Sequence, residues 1–131
     1  MTIKANKLES LIGNKAIAVE ALVDGVAKAL VNYNGVGGVV NKSLNVSSAV
    51  DVAVGTYGFN LTNAMADQYP SIGTSIQMTD QAYGSYFGMC AEVDRFRDPT
   101  PSSVHVICKY GHNSGVYDCG MYSVTLNGDL A

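Results

Sequence analysis

Charge is the property this chain has least of. Only 15% of its residues are charged, against about 25% in an ordinary soluble domain. Eight Lys and Arg stand against eleven Asp and Glu, a net charge of −3. That balance leaves no basic patch to follow a phosphate backbone, so nucleic acid is not an expected partner. Lys4, Lys7 and Lys15 lie near the N-terminus, and three spaced lysines read as a solvated face. No apolar run approaches the roughly 18 residues a spanning helix needs, so no membrane insertion is expected. Residues 1–25 also lack the continuous apolar stretch of an export signal, because Asn14, Lys15 and Glu20 interrupt it.

Histidine and cysteine are sparse as well. Of the two histidines, His105 sits at an alternating strand position and His112 in a turn. Neither has a neighbour in sequence that would orient it as a catalytic base, and the Cys108–His112 pair lacks a third group. Three cysteines, Cys90, Cys108 and Cys119, cannot all pair within one chain. Reduced thiols are expected, with Cys108 and Cys119 facing each other across a hairpin as the other reading. These cysteines and His112 are zinc-type ligands without any CxxC pair, so no metal is expected. The acids do not cluster: Asp94 and Asp98 flank Arg95 and Arg97, which reads as charge compensation on a loop. A glycosidase needs two carboxylates held across a sugar, and none can be nominated. Gly35-Val36-Gly37-Gly38 is followed by no Lys-Ser/Thr pair, so it is not a phosphate loop. The reading is a non-enzyme with no catalytic residues and no cofactor.

What the chain does have is strand pattern. Its 131 residues suit one domain with a buried core. Ala29, Val31 and Tyr33 fall on one face of a strand that runs into a glycine turn. Residues 39–48 read as the returning strand. Tyr57, Phe59 and Leu61 then alternate with Gly58, Asn60 and Thr62, and Gly58 would admit a neighbouring backbone closely. Residues 71–79 read as a further strand and residues 86–93 as a weaker one. Residues 95–102 form a surface loop with two prolines. Val104, Val106, Cys108 and Tyr110 alternate towards a turn at 111–115, and residues 116–126 return as a second hairpin. Short strands separated by Gly, Pro and Asn turns indicate an all-β fold, an antiparallel β-sandwich of jelly-roll-like form. The sandwich is expected over residues 26–131, behind a short N-terminal arm of residues 1–25.

Within the arm, Leu8, Leu11 and Ile12 have the spacing of one helical turn. Together with Ile17 they either pack on their own domain or dock against another subunit. Aromatics are eight Tyr and three Phe with no Trp. Tyr33, Tyr57, Phe59 and Tyr122 hold core-phase positions. Tyr83, Tyr86, Phe87, Phe96, Tyr110 and Tyr117 lie in or beside loops. Tyrosine among Ser, Gly and Asn is the composition of an adaptable recognition surface. Residues 80–88 and 110–119 are therefore the candidate ligand-contacting loops, through Tyr83, Tyr86, Phe87, Tyr110, His112 and Tyr117; the other reading places these aromatics in a subunit interface.

One stretch identifies more than a pattern. Ala27-Lys28-Ala29-Leu30-Val31-Asn32-Tyr33-Asn34-Gly35, then Ser43-Leu44-Asn45-Val46-Ser47-Ser48, then Gly55-Thr56-Tyr57-Gly58-Phe59-Asn60-Leu61-Thr62-Asn63-Ala64-Met65 resembles a module recurrent in bacteriophage tail-fibre and other virion appendage proteins. The good match covers residues 23–72. Leu30 stands where the family carries a tryptophan, at what reads as a core position, and Gly58 where it carries a β-branched residue. The resemblance implies a viral structural protein located on the virion and made in the host cytoplasm. It would be a fibre or spike subunit, a homotrimer, that joins other virion proteins through the arm. Host attachment would follow by receptor binding to surface polysaccharide or protein. The alternative is a purely architectural capsid-decoration or tail adaptor protein without receptor binding.

Overall fold

The computed structural model describes residues 7–9, 16–18, 26–77, 89–110 and 115–131. They form an antiparallel β-sandwich preceded by a two-stranded hairpin. In the hairpin β1 (Lys7–Glu9) pairs with β2 (Ala16–Ala18), with Leu8 opposite Ile17. Leu8 therefore lies in a strand and not in the helical turn its spacing suggested. Eight further strands follow: β3 (Ala29–Asn34), β4 (Val39–Leu44), β5 (Val46–Ala53), β6 (Thr56–Leu61), β7 (Ser71–Gln77), β8 (Met89–Val93), β9 (Ser103–Tyr110) and β10 (Met121–Asn127). One sheet has the order β4-β3-β10-β7 and the other β5-β6-β9-β8.

The period of two along each strand decides what reaches the interior. The central strands of one sheet bury Ala29, Val31 and Tyr33 from β3 and Tyr122, Val124 and Leu126 from β10. Those of the other bury Tyr57, Phe59 and Leu61 from β6 and Val104, Val106 and Cys108 from β9. The four core-phase aromatics meet. Tyr33 lies 5.0 Å from Tyr57 and 5.7 Å from Phe59, and Tyr57 lies 4.9 Å from Tyr122. These are tilted and edge-to-face pairs, the geometry ring quadrupoles favour. A cavity of about 10 Å³ remains beside Ala29, Val46, Phe59 and Leu126, apolar on every side and so expected to stay dry. Leu30 is not a core position. It is half-buried on the other face of β3, between Leu44 and Thr125, and borders that cavity.

Two sequence expectations are corrected by backbone detail. Residues 39–48 are not one strand: Asn45 takes φ +55° and turns the chain from the edge of one sheet to the edge of the other. Asparagine tolerates that left-handed conformation. Its side chain also bonds Asn63, accepting from the Asn63 N–H at 2.7 Å and donating to the Asn63 carbonyl at 3.0 Å. Nor do β9 and β10 form a hairpin. Ten residues, 111–120, separate them, too many for a tight turn, and they carry the chain across to the other sheet. There each strand is flanked on both sides, β9 by β6 and β8 and β10 by β3 and β7.

The edges are managed. Strand β4 is exposed along its length but carries Lys42 and a register shift that leaves Asn41 as an extra residue. In β5, Asp51 pairs with Tyr57 but is itself exposed at the edge. Bulges and charges on an edge strand both discourage edge-to-edge pairing with another chain. On the opposite side the Thr74 hydroxyl donates to the Ala91 carbonyl at 2.7 Å, tying β7 to β8.

Candidate functional site

The pairing directions sort the loops into two ends. At one end lie turn 35–38, turn 54–55 and residues 115–120. Tyr110 and Tyr117 are here, both half-buried. Tyr83, Tyr86, Phe87 and His112 lie outside the described residues, as do Leu11 and Ile12 of the arm.

This end is built around Asp118. Its Oδ1 accepts the Tyr57 hydroxyl at 2.5 Å and the Gly55 N–H at 2.6 Å. The Tyr122 hydroxyl and the Cys108 N–H both donate to the Gly55 carbonyl, at 3.1 and 2.8 Å. The Gly35 N–H donates to the Cys119 carbonyl at 2.9 Å. Three loops are thereby tied to the aromatic core. Burial, then the Asp118 carboxylate, push the Tyr57 phenol well above its ordinary range, so it stays a donor. Cys108 and Cys119 are buried free thiols. The neighbouring Cys119 sulfur and burial push the Cys108 thiol up, which makes it a poor nucleophile at neutral pH. Cys90 pairs with Lys109 on the outer face of its sheet and is exposed.

At the opposite end, loops 62–70 and 94–102 lie side by side because β6 runs antiparallel to β9, with Asn60 opposite Ser103. The Leu61 N–H donates to the Ser102 carbonyl and the Met65 N–H to the Pro101 carbonyl. Residues 128–131 brace the first loop, through the Ala66 N–H to the Asp129 carbonyl and the Ala131 N–H to the Ala64 carbonyl. Met65 is 2% exposed, and the two loops also carry two exposed aromatics, Tyr69 at 79% and Phe96 at 72%. Tyr69 is held in place: its N–H donates to Asp67 Oδ1 and its hydroxyl accepts Gln68 Nε2, each at 2.8 Å. The Arg95 guanidinium lies 4.6 Å over the Phe96 ring, a cation–π contact. Gln68, Tyr69, Pro70, Asp98 and Pro99 line a cleft of about 490 Å³. The sequence expectation placed no candidate here. The available signal was an aromatic before a proline in a polar loop, which marks extended backbone but not what faces it.

Asp94 anchors the second loop. It is 1% exposed, accepts the Phe96 N–H at 3.0 Å and pairs with Arg97 at 2.5 Å. Burial pushes its carboxyl up, but the Phe96 N–H and the Arg97 guanidinium outweigh that and hold it below the usual carboxylate range. A folded value below the unfolded one contributes stability above the unfolded pKa, and that contribution is lost as pH falls through the folded value. Asp94→Asn is therefore expected to cost about 1–3 kcal/mol at neutral pH and less in acid. Urea midpoints from pH 7 down to pH 2 check this; a constant difference across that range would refute it.

On the outer face of β6 and β9, His105 covers Gly58. A Cβ on Gly58 would stand 2.8 Å from His105 Nε2. The close neighbour that glycine admits is thus a side chain and not a backbone. Gly58→Val, the β-branched residue of the resembled family, is expected to cost about 1–3 kcal/mol in the natural chain and clearly less in a His105→Ala background. A double-mutant cycle reads that coupling, and additive costs would contradict it.

No family model, no curated protein and no solved structure matches this chain. Among the described residues, no three His, Cys, Asp or Glu side chains are grouped to hold a metal ion. No described helix is long and apolar enough to cross a membrane.

Proposed function

We propose that this chain is a bacteriophage fibre or spike subunit that attaches the virion to the host surface. The observation that carries this reading is the pair Tyr69 and Phe96, large aromatic rings left in solvent on adjoining loops at one end of the sandwich. Water-exposed rings on a braced platform are a recognition surface, since a ring fixed in advance loses little freedom on binding. The blunted edges of β4 and β5 support assembly through the N-terminal arm, by way of Leu8, Leu11, Ile12 and Ile17, rather than by edge-to-edge pairing. The reading includes a homotrimer joined to other virion proteins through the arm, which enters β3 at Ala29.

The test is attachment of the labelled full chain to a panel of bacterial strains. Binding to a subset of strains is expected, with about tenfold weaker binding, near 1.4 kcal/mol, for a Tyr69→Ser, Phe96→Ser variant. Binding to no strain would overturn the attachment role. It would favour the architectural reading, a capsid-decoration or tail adaptor protein. A separate observation favours that second reading: Val39 and Leu44, paired with Asn34 and Leu30 on the outer face of the sheet, are both exposed, as a surface covered by a neighbouring protein would be.

A further inference from the structure

We infer that the cleft between Tyr69 and Asp98 is a saccharide subsite for a neutral hexopyranose unit, an inference that rests on the attachment reading above and names its ligand. The volume, about 490 Å³, falls in the range of small-ligand sites, roughly 300–1,000 Å³. It is open to solvent, with Gln68, Tyr69 and Asp98 exposed. Pro70 and Pro99 each have a fixed φ, and Tyr69 bonds its neighbours Asp67 and Gln68, which limits the ordering that opposes binding.

The polar atoms specify the ligand. Asp98 offers two carboxylate oxygens, which only accept. Gln68 uses one Nε2 hydrogen on the Tyr69 hydroxyl, leaving its carbonyl oxygen and a single remaining N–H, while the Tyr69 hydroxyl keeps its own O–H as a second donor. Acceptors therefore outnumber donors, so the ligand must be rich in donors around its rim and apolar on one flat face to lie on the Tyr69 ring. A pyranose ring has both: axial C–H groups on a face and hydroxyls at the edge. A peptide backbone carries as many acceptors as donors and fits less well. An acidic sugar would set its own carboxylate against Asp98, in the manner of a like-charge clash. The ligand class is thus neutral, a sugar of a surface polysaccharide without uronic or sialic acid at the contacting unit.

Saturation-transfer NMR on the full chain tests this with three probes: an α-1,4-glucose hexasaccharide, a β-1,4-N-acetylglucosamine hexasaccharide and a galacturonic acid hexasaccharide. At least one neutral probe is expected to receive saturation and to shift the Tyr69 ring resonances. Tyr69→Ala and Asp98→Ala should each weaken it about tenfold or more. Asp98→Asn should narrow the preference for neutral over acidic probe. Both side chains lie on surface loops, so an unchanged thermal midpoint verifies folding. Three results would overturn the subsite: no transfer to either neutral probe, binding indifferent to Tyr69→Ala, or equal binding of the acidic probe. Strain attachment separates the two readings. Attachment that survives Tyr69→Ala while no neutral probe binds removes the subsite and leaves the attachment role. Neutral-sugar binding at Tyr69 without attachment to any strain does the reverse.

Discussion

Tyr57→Ala is expected to lower the free energy of unfolding by about 4 kcal/mol. Tyr57 joins both sheets and two of the loops. It is 0% exposed and its ring lies 5.0 Å from Tyr33 and 4.9 Å from Tyr122. Its hydroxyl donates to Asp118 and lies 3.1 Å from the Gly35 carbonyl. Truncation removes ring contacts with both sheets and opens a cavity that flanking strands cannot collapse into. Tyr57→Phe separates the two contributions. It keeps the ring and removes the donor, leaving a carboxylate oxygen short of a partner, at an expected cost of about 1–3 kcal/mol. Urea unfolding followed by circular dichroism checks both. A loss under about 1 kcal/mol for Tyr57→Ala, far below ordinary core truncations, would mean that the ring is not packed as described. Ordinary domains have about 5–15 kcal/mol in all, so the alanine variant should be marginal at body temperature.

Gly55→Ala is the second large effect. Gly55 has φ +63°, and a Cβ there would stand 2.7 Å from Val116 Cγ1 and 2.8 Å from the Tyr117 carbonyl carbon. The backbone of 116–117 would have to withdraw, and with it Asp118, whose carboxylate takes the Gly55 N–H. The expected cost is at least about 2–3 kcal/mol, a left-handed penalty plus a backbone clash. Gly38 is the control. Its φ is nearly the same, +66°, but the nearest atom to an added Cβ is the Tyr33 hydroxyl at 3.8 Å. Gly38→Ala should carry the conformational penalty alone, about 1 kcal/mol. Urea midpoints of the two variants read the difference directly. Equal costs would show that residues 116–117 do not press on turn 54–55.

The two variants also bear on the candidate surfaces. Tyr57 and Gly55 brace the end that carries Tyr110 and Tyr117, whereas the Tyr69 cleft is braced by Met65, Asp94 and residues 128–131. Destabilising substitutions at the first end should leave saccharide binding at the second intact in whatever fraction stays folded.

The alternation of Ala29, Val31 and Tyr33, of Tyr57, Phe59 and Leu61, and of Val104, Val106 and Cys108 was sufficient by itself to indicate an all-β sandwich and to name its core. Burial in a strand follows a local period of two, and a local period is visible in one dimension. The glycine turn at 35–38 was legible for the same reason, since left-handed backbone selects residue type on the spot. What the neighbours of each strand would be was not legible. The residues of β9 and β10 look the same whether the strands pair with each other or sit in opposite sheets, because the buried face is identical in both cases. The break at Asn45 and the seat of His105 on Gly58 depend likewise on partners supplied by other strands. The cleft is the clearest case. Tyr69 and Asp98 lie 29 positions apart (98 − 69), in two loops with no pattern of their own. Only the antiparallel pairing of β6 with β9 brings them to the same end.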